Sequence, residues 1–156
     1  MKSSTKFLIN FIGKRFQSRP RLIISFGKFH KWIYSISKGK ILGNLGNLPV
    51  MILNTEGRKT GRIIKTALVY YSDQGKFFII ASFGGNPNHP SWFLNIKKNP
   101  NVKFQIKNEE FNSFAKILSN EEKSLIWPKI VDFYSGYERY QDSTSREIPV
   151  IELELR

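Results

Sequence analysis

Apolar residues recur along this chain with two different periods, and the change from one to the other divides it. Over residues 5–17, Phe7, Leu8, Phe11, Ile12 and Phe16 fall at helical spacing, with Lys6, Lys14 and Arg15 near the edges. Over Arg21 to Ser37, the residues Leu22, Ile23, Phe26, Phe29, Ile33 and Ile36 repeat that spacing and predict a second helix. The stretch 38–47 is glycine-rich and reads as loop. Beyond it the pattern turns strand-like. Pro49 to Asn54 and Ile63 to Tyr71 are predicted strands, joined by a turn, Thr55 to Gly61, with two glycines in it. Asp73-Gln74-Gly75 predicts a tight hairpin into a third strand, Lys76 to Ser82. A loop dense in turn formers follows from Phe83, and Pro90 suits the first turn of a short helix reaching about Lys98. Val102 to Ile106 and Phe111 to Leu118 alternate apolar and polar, which predicts a hairpin across Lys107–Glu110. Ser119 or Asn120 ahead of Glu121 and Glu122 opens a helix running through Trp127 and Pro128 toward Tyr134. Pro149 to Leu155 alternates again and predicts the last strand.

These elements add up to a mainly β protein with flanking helices, an α+β chain of about six mostly antiparallel strands. Short turns between such strands favour a small barrel over a parallel, doubly wound sheet. The expected organisation is a helical segment over 1–47, packed on or beside a barrel over 48–156, as one structural domain. A length of 156 residues suits that arrangement.

Charge changes the picture more than composition does. The net charge is +13, and residues 1–50 contribute +10 of it without a single Asp or Glu. Residues 51–70 add +3, and the remainder is balanced. Such a field attracts anions: nucleic acid, lipid headgroups or a charged small molecule. Nucleic acid is disfavoured, because bases and aromatics are not interleaved in the patterns of the common RNA-binding modules. The first helix, with its apolar stripe and basic flank, can pack on its own domain or lie on an anionic membrane surface through residues 1–20. No stretch approaches a membrane span, and the apolar run Phe7–Ile12 is too short for a secretory signal. The expected setting is the cytoplasm, with peripheral contact at the inner membrane face as the open alternative. The absence of cysteine removes disulfide frameworks, thiolate nucleophiles and cysteine metal sites. With His30 and His89 as the two histidines, no metal cage is expected.

Three segments carry candidate chemistry. In Gly57-Arg58-Lys59-Thr60-Gly61, two glycines permit tight geometry in which several N–H groups can meet one anion, with Arg58, Lys59 and then Arg62 and Lys65 as cations. The plainer reading is a solvated hairpin with charged tips. Ser82 stands where a strand runs into glycines, suited to hydrogen-bonding a planar ring, with Trp92 and Asn95 on the helix beyond. Trp92 can stack on such a ring or fill the core. Tyr134, Tyr137 and Tyr140 are spaced by three, as an aromatic wall with hydroxyls or as half-buried packing. His89, beside Pro90, reads as a capping or surface residue.

The ordered set Leu48-Pro-Val-Met-Ile-Leu-Asn-Thr-Glu-Gly-Arg-Lys-Thr-Gly, Ala81-Ser-Phe-Gly-Gly, His89-Pro-Ser-Trp-Phe-Leu-Asn, Asn99-Pro-Asn-Val, Trp127-Pro, Tyr134-Ser-Gly-Tyr, Tyr140-Gln and Arg146-Glu-Ile-Pro-Val resembles the deazaflavin-dependent nitroreductase and quinone reductase family, whose members use reduced coenzyme F420. The resemblance covers roughly residues 22–155. It implies a split β-barrel related to FMN-binding and pyridoxamine-phosphate-oxidase-like barrels. It also implies hydride transfer from the coenzyme to a quinone, nitro or enone acceptor. By this resemblance Gly57, Arg58, Lys59, Thr60, Gly61 and Lys65 hold the coenzyme's phosphate and anionic tail. Ala67, Leu68 and Val69 pass along the ring, Ser82 lies near its reactive part, and Trp92 and Asn95 close the pocket. Tyr134, Tyr137 and Tyr140 border the substrate, with Tyr137 as proton donor and Ser82 and Tyr134 completing the catalytic set. Two positions depart from the pattern: Ile63-Ile64 replaces the usual Pro-Arg, and Ala67 replaces a proline. FMN or heme in the same barrel, or a non-enzymatic coenzyme carrier or basic binding module, are the rival readings. The assembly expected is a monomer or homodimer.

Overall fold

The computed structural model describes residues 44–45 and 48–156. The helices expected over 5–17 and 21–37, and with them nearly all of the expected segment 1–47, lie outside the described residues. Among the described residues seven strands run in the order β1 (Asn44–Leu45), β2 (Leu48–Glu56), β3 (Ile63–Asp73), β4 (Lys76–Ile80), β5 (Asn101–Ile106), β6 (Glu109–Ile117) and β7 (Val150–Leu155). Three helices interrupt them: α1 (Ser91–Lys98), α2 (Asn120–Phe133) and α3 (Gly136–Asp142). β1 corrects one expectation, since Asn44 and Leu45 form a short ladder with Pro49 and Leu48 instead of loop.

Every pairing is antiparallel, and the sheet runs β2-β3-β4-β7-β6-β5 before returning to β2. The closing seam joins Ile52 to Gln105, Leu53 to Phe104 and Asn54 to Lys103. Closure leaves no free edge among these six strands, which is the split barrel the motifs imply. Inside lie Met51, Leu53, Ile79, Val102, Phe104, Ala115, Ile151 and Leu153, joined by Trp92, Phe93 and Ile96 of α1. Phe104 stacks on Phe111 at 5.0 Å between ring centroids, and Phe77 packs against both.

Strand β4 shows why alternation fails as a guide here. Phe77 and Ile79 point into the barrel, while Phe78 and Ile80 point outward into a second apolar cluster with Ile130, Tyr137, Ile148 and Val150. Both faces are covered, so the strand reads as one unbroken apolar run. Helix α2 supplies that cover. It begins with a capping box, in which the Glu122 N–H donates to Ser119 Oγ and the Ser119 N–H donates to the Glu122 carboxylate. The hairpin turn between β3 and β4 places Gln74 at φ 50° and Gly75 at φ 79°, the left-handed pair a two-residue connection requires. Among the described residues no helix is long and apolar enough to cross a membrane, and no cluster of metal-ligating side chains forms.

Candidate active site

The turn between β2 and β3 closes on itself. The Gly57 N–H donates to the Arg62 carbonyl at 2.8 Å, and the Thr60 and Gly61 N–H groups donate to the Gly57 carbonyl at 3.0 and 2.8 Å. Gly61 is left-handed at φ 67°, and a Cβ on Gly57 would come within 2.9 Å of Thr60 Oγ1 and 3.1 Å of the Arg62 carbonyl oxygen. The glycines therefore serve the turn's own geometry. The expected backbone cradle for an anion is not present in this form, because those N–H groups are spent internally and the Arg62 N–H donates to Thr60 Oγ1. What remains for an anion is the side-chain charge of Lys59, Arg62 and Lys65, all exposed on the rim.

Arg58 turns the other way, toward α1. Its backbone N–H donates to Asn95 Oδ1 at 3.1 Å, and its guanidinium reaches the same oxygen at 3.3 Å and the Ser91 carbonyl at 3.4 Å. Asn95, 1% exposed, donates through Nδ2 to Thr55 Oγ1 at 3.1 Å. One buried amide thus bonds both the end of β2 and the turn. Lys98 adds a bond from Nζ to the Arg58 carbonyl at 2.8 Å. The structure accordingly gives Asn95 the task of holding the cationic turn. Trp92, 7% exposed, sits in the interior cluster edge-on to Phe93.

The residues of β3 divide by strand period. Leu68 packs against the interior, whereas Ala67 and Val69 lie opposite Ile52 and Val50 on the other face. A ring lying along this strand would therefore meet the side chains of Ala67 and Val69 or that of Leu68, together with the backbone between them. Ile63, 65% exposed, and the exposed Ile64 stand where the family pattern has Pro-Arg, so the rim carries apolar surface at the position of that departure.

Ser82 is buried at the start of a loop with unusual dihedrals. It is right-handed at φ −68°, ψ −40°, and Phe83, Gly84 and Gly85 follow at φ 49°, 64° and 78°. A left-handed phenylalanine is rare and persists only where its surroundings hold it. They do so through Arg146, a residue sequence reasoning quoted in a motif and gave no role. Its guanidinium donates to the carbonyls of Ala81, Ser82 and Asn86 at 3.1, 2.7 and 2.8 Å, and approaches His89 Nδ1 at 3.4 Å. The His89 ring packs tilted against Phe93 at 4.8 Å between centroids, and burial first, then Arg146 and Lys97, lowers its pKa. A loop arginine with no partner nearby in sequence was the available signal, but only the fold reveals its acceptors.

The tyrosines span two elements. Tyr134 caps the end of α2, and Tyr137 and Tyr140 belong to α3. Their rings pack at 5.2 to 6.3 Å, and the Tyr134 and Tyr140 hydroxyls lie 3.3 Å apart. Gly136 makes this fold possible, because a Cβ there would fall 2.2 Å from the Tyr134 ring. Tyr137, 5% exposed, belongs to the outer apolar cluster, where burial raises its pKa. Burial raises the pKa of Tyr140 as well, so acidity does not single out either phenol; the two differ in exposure, Tyr137 being buried and Tyr140 half-buried. Tyr134 and Tyr140 are the half-buried members of the trio. Gly85 abuts the end of α3, since a Cβ would clash with Ser143 Oγ and come within 3.0 Å of the Tyr140 carbonyl, so the Ser82 loop packs directly on the tyrosine helix.

A barrel of this topology, with a cationic rim tied through α1 to a buried serine loop and then to a tyrosine cluster, defines a split-barrel oxidoreductase type of site. The model of the F420H(2)-dependent quinone reductase family matches residues 26–154, and the chain belongs to that family. An F420H(2)-dependent quinone reductase of Mycobacterium tuberculosis is 33% identical over 133 residues, covering 83% of this chain and 89% of the relative. A solved F420-H2 dependent reductase, FDR-A, is 36% identical with a TM-score of 0.62, over 68% of this chain and 94% of that one. A second solved chain, described as a domain-swapped dimer, is 32% identical with a TM-score of 0.64, over 80% of this chain and 94% of that one.

Proposed function

We propose that this chain is an oxidoreductase that uses reduced coenzyme F420 to reduce an electron-poor acceptor of the quinone type. The observation that carries the reading is the exposed cation set Lys59, Arg62 and Lys65 on a turn that Asn95 and Arg58 fix against α1. These residues fit a coenzyme with a long anionic tail: the charges face solvent, where phosphate and carboxylates arrive, and the turn beneath them is rigid. Side-chain cations hold the tail, and the Ser82 loop faces the ring. Tyr134 and Tyr140 border the acceptor and offer its oxygen a hydrogen bond. When bound, the coenzyme supplies the hydride. The protein's contribution is orientation, anion binding and exclusion of water. The N-terminal residues 1–20, with their basic amphipathic pattern, rest on anionic membrane, where quinones partition. A second copy is the other partner suggested by the domain-swapped relative.

Titration of the purified full-length protein with coenzyme F420, FMN and heme in parallel tests the coenzyme. Coenzyme F420 binds most tightly, its affinity falls with salt, and its reduced form is oxidised by menadione only when protein is present. Tighter FMN or heme binding defeats the reading. Sedimentation with anionic vesicles tests the membrane contact: the full chain pellets, and a version starting at Arg21 does not.

A further inference from the structure

The Ser82 loop is held by a clamp that reaches it from the far side of the tyrosine helix. Arg146 donates to three backbone carbonyls of residues 81–86. Arg146 is itself held by Gln141, whose Nε2 donates to the Arg146 carbonyl at 2.9 Å while its Oε1 accepts from the Ile148 N–H at 2.8 Å. Gln141 follows Tyr140 directly on α3. A continuous set of bonds therefore runs from the tyrosine helix through Gln141 and Arg146 to Ser82. The right-handed Ser82 followed by left-handed Phe83 is also the dihedral succession that gathers consecutive N–H groups into an anion-accepting concavity. The Gly85 and Asn86 N–H groups bond back to the carbonyls of Ser82 and Phe83, which closes the loop behind that concavity.

We propose that Arg146 is a positioning residue for the reaction: it holds the Ser82 loop in its left-handed form, so that Ser82 and the neighbouring N–H groups meet the polar edge of the coenzyme ring in fixed register with the tyrosines. The inference rests on the coenzyme reading above. Arginine is required over lysine, because a planar fork can serve several carbonyls and His89 Nδ1 at once, whereas an ammonium is a point donor. An arginine can only donate, so a bond at this 3.4 Å contact requires Nδ1 of His89 to accept, with the ring proton on Nε2.

The test compares wild type with Arg146→Lys, which keeps the charge, and Arg146→Gln. Coenzyme F420 affinity falls at least ~10-fold in Arg146→Lys under conditions where circular dichroism reports a folded protein. In the Ser82→Ala background the same change costs less than in wild type, because the Ser82 hydroxyl, one of the groups being positioned, is already gone while the neighbouring N–H groups remain. Nitrogen NMR of the coenzyme-free protein finds His89 protonated on Nε2 in wild type and mixed in both variants. Unchanged affinity in Arg146→Lys, or equal losses with and without Ser82, overturns the proposal. If wild type fails to bind coenzyme F420, the functional reading falls. An unaltered His89 tautomer in both variants would separately remove the clamp.

Discussion

The rim turn and the tyrosine cluster are built on opposite principles. Around residues 57–65 the cations stay in water and polar bonds fix the backbone beneath them, with Asn95 as the one buried amide that serves two elements. Around residues 134–140 three aromatic rings pack on one another and on the outside of β4 and β7, with one hydroxyl–hydroxyl contact. Exposed charge attracts a ligand from a distance and is weakened by salt. Packed rings define a shape, and their energy is that of burial. The contrast suits a coenzyme drawn in by its tail and an acceptor sorted by fit.

Substitutions can break this comparison, and the largest effect belongs to the packed side. Tyr137→Ala should cost about 3–5 kcal/mol of stability, as large-to-small core changes do, with a matching fall in denaturant midpoint. Tyr137→Phe should keep turnover of menadione within ~3-fold, since the Tyr137 ring is 5% exposed and packed in the outer apolar cluster. A 100-fold loss in Tyr137→Phe would restore it to the chemistry.

Asn95→Ala comes next. It leaves Thr55 Oγ1 and the Arg58 N–H without their partner, at about 1–3 kcal/mol, and thermal melting reads the loss directly. Coenzyme affinity should fall with it because the turn loosens. A variant that melts early yet binds normally would show that α1 does not organise the rim.

Lys59→Ala combined with Arg62→Ala sharpens the other side. Coenzyme binding should weaken by at least ~10-fold at low salt, the difference shrinking as salt rises, since exposed charges are screened. Stability should move by no more than about 0.5 kcal/mol, as for surface positions generally. A melting temperature that drops by many degrees would mean the rim is structural after all.

The smallest effect is a pH dependence at His89. Its folded pKa lies below the ordinary value of 6.5, through burial first and then Arg146 and Lys97. The unfolded chain therefore binds the proton more readily. The contribution of His89 is fully present above pH 6.5 and is lost as pH falls through the lowered folded value. Urea midpoints of wild type and His89→Gln should converge on acidification. Divergence at acid pH would reverse the sign and place an acid near the ring.

Much of this was legible in the chain, and the exceptions have physical causes. Strands β2, β3, β5, β6 and β7, the Gln74-Gly75 turn and the Ser119 cap all follow from local pattern, because burial period and turn dihedrals are local properties. Asn44–Leu45 was hidden because glycine-rich segments carry little periodicity, so the ladder to β2 came from pairing alone. Which face of β3 each of Ala67, Leu68 and Val69 presents follows from alternation, but which face is interior was fixed only by the pairing with β2 and the core around it. Arg146 escaped because its acceptors lie some 60 residues away.

By itself the sequence determined that antiparallel strands would form, that positive charge would collect before residue 71, and that the ordered motifs belong to one coenzyme family. The first two follow from near-neighbour sterics, alternation and charge, which need no partner at a distance, and the third rests on the resemblance of the ordered motifs. Tertiary structure decided the direction of each functional group: Arg58 inward to Asn95, Lys59 outward, Tyr137 under cover, Arg146 into the Ser82 loop. Barrel closure juxtaposes residues far apart in the chain, and hydrogen-bond acceptors and burial exist for a side chain only after that closure has occurred.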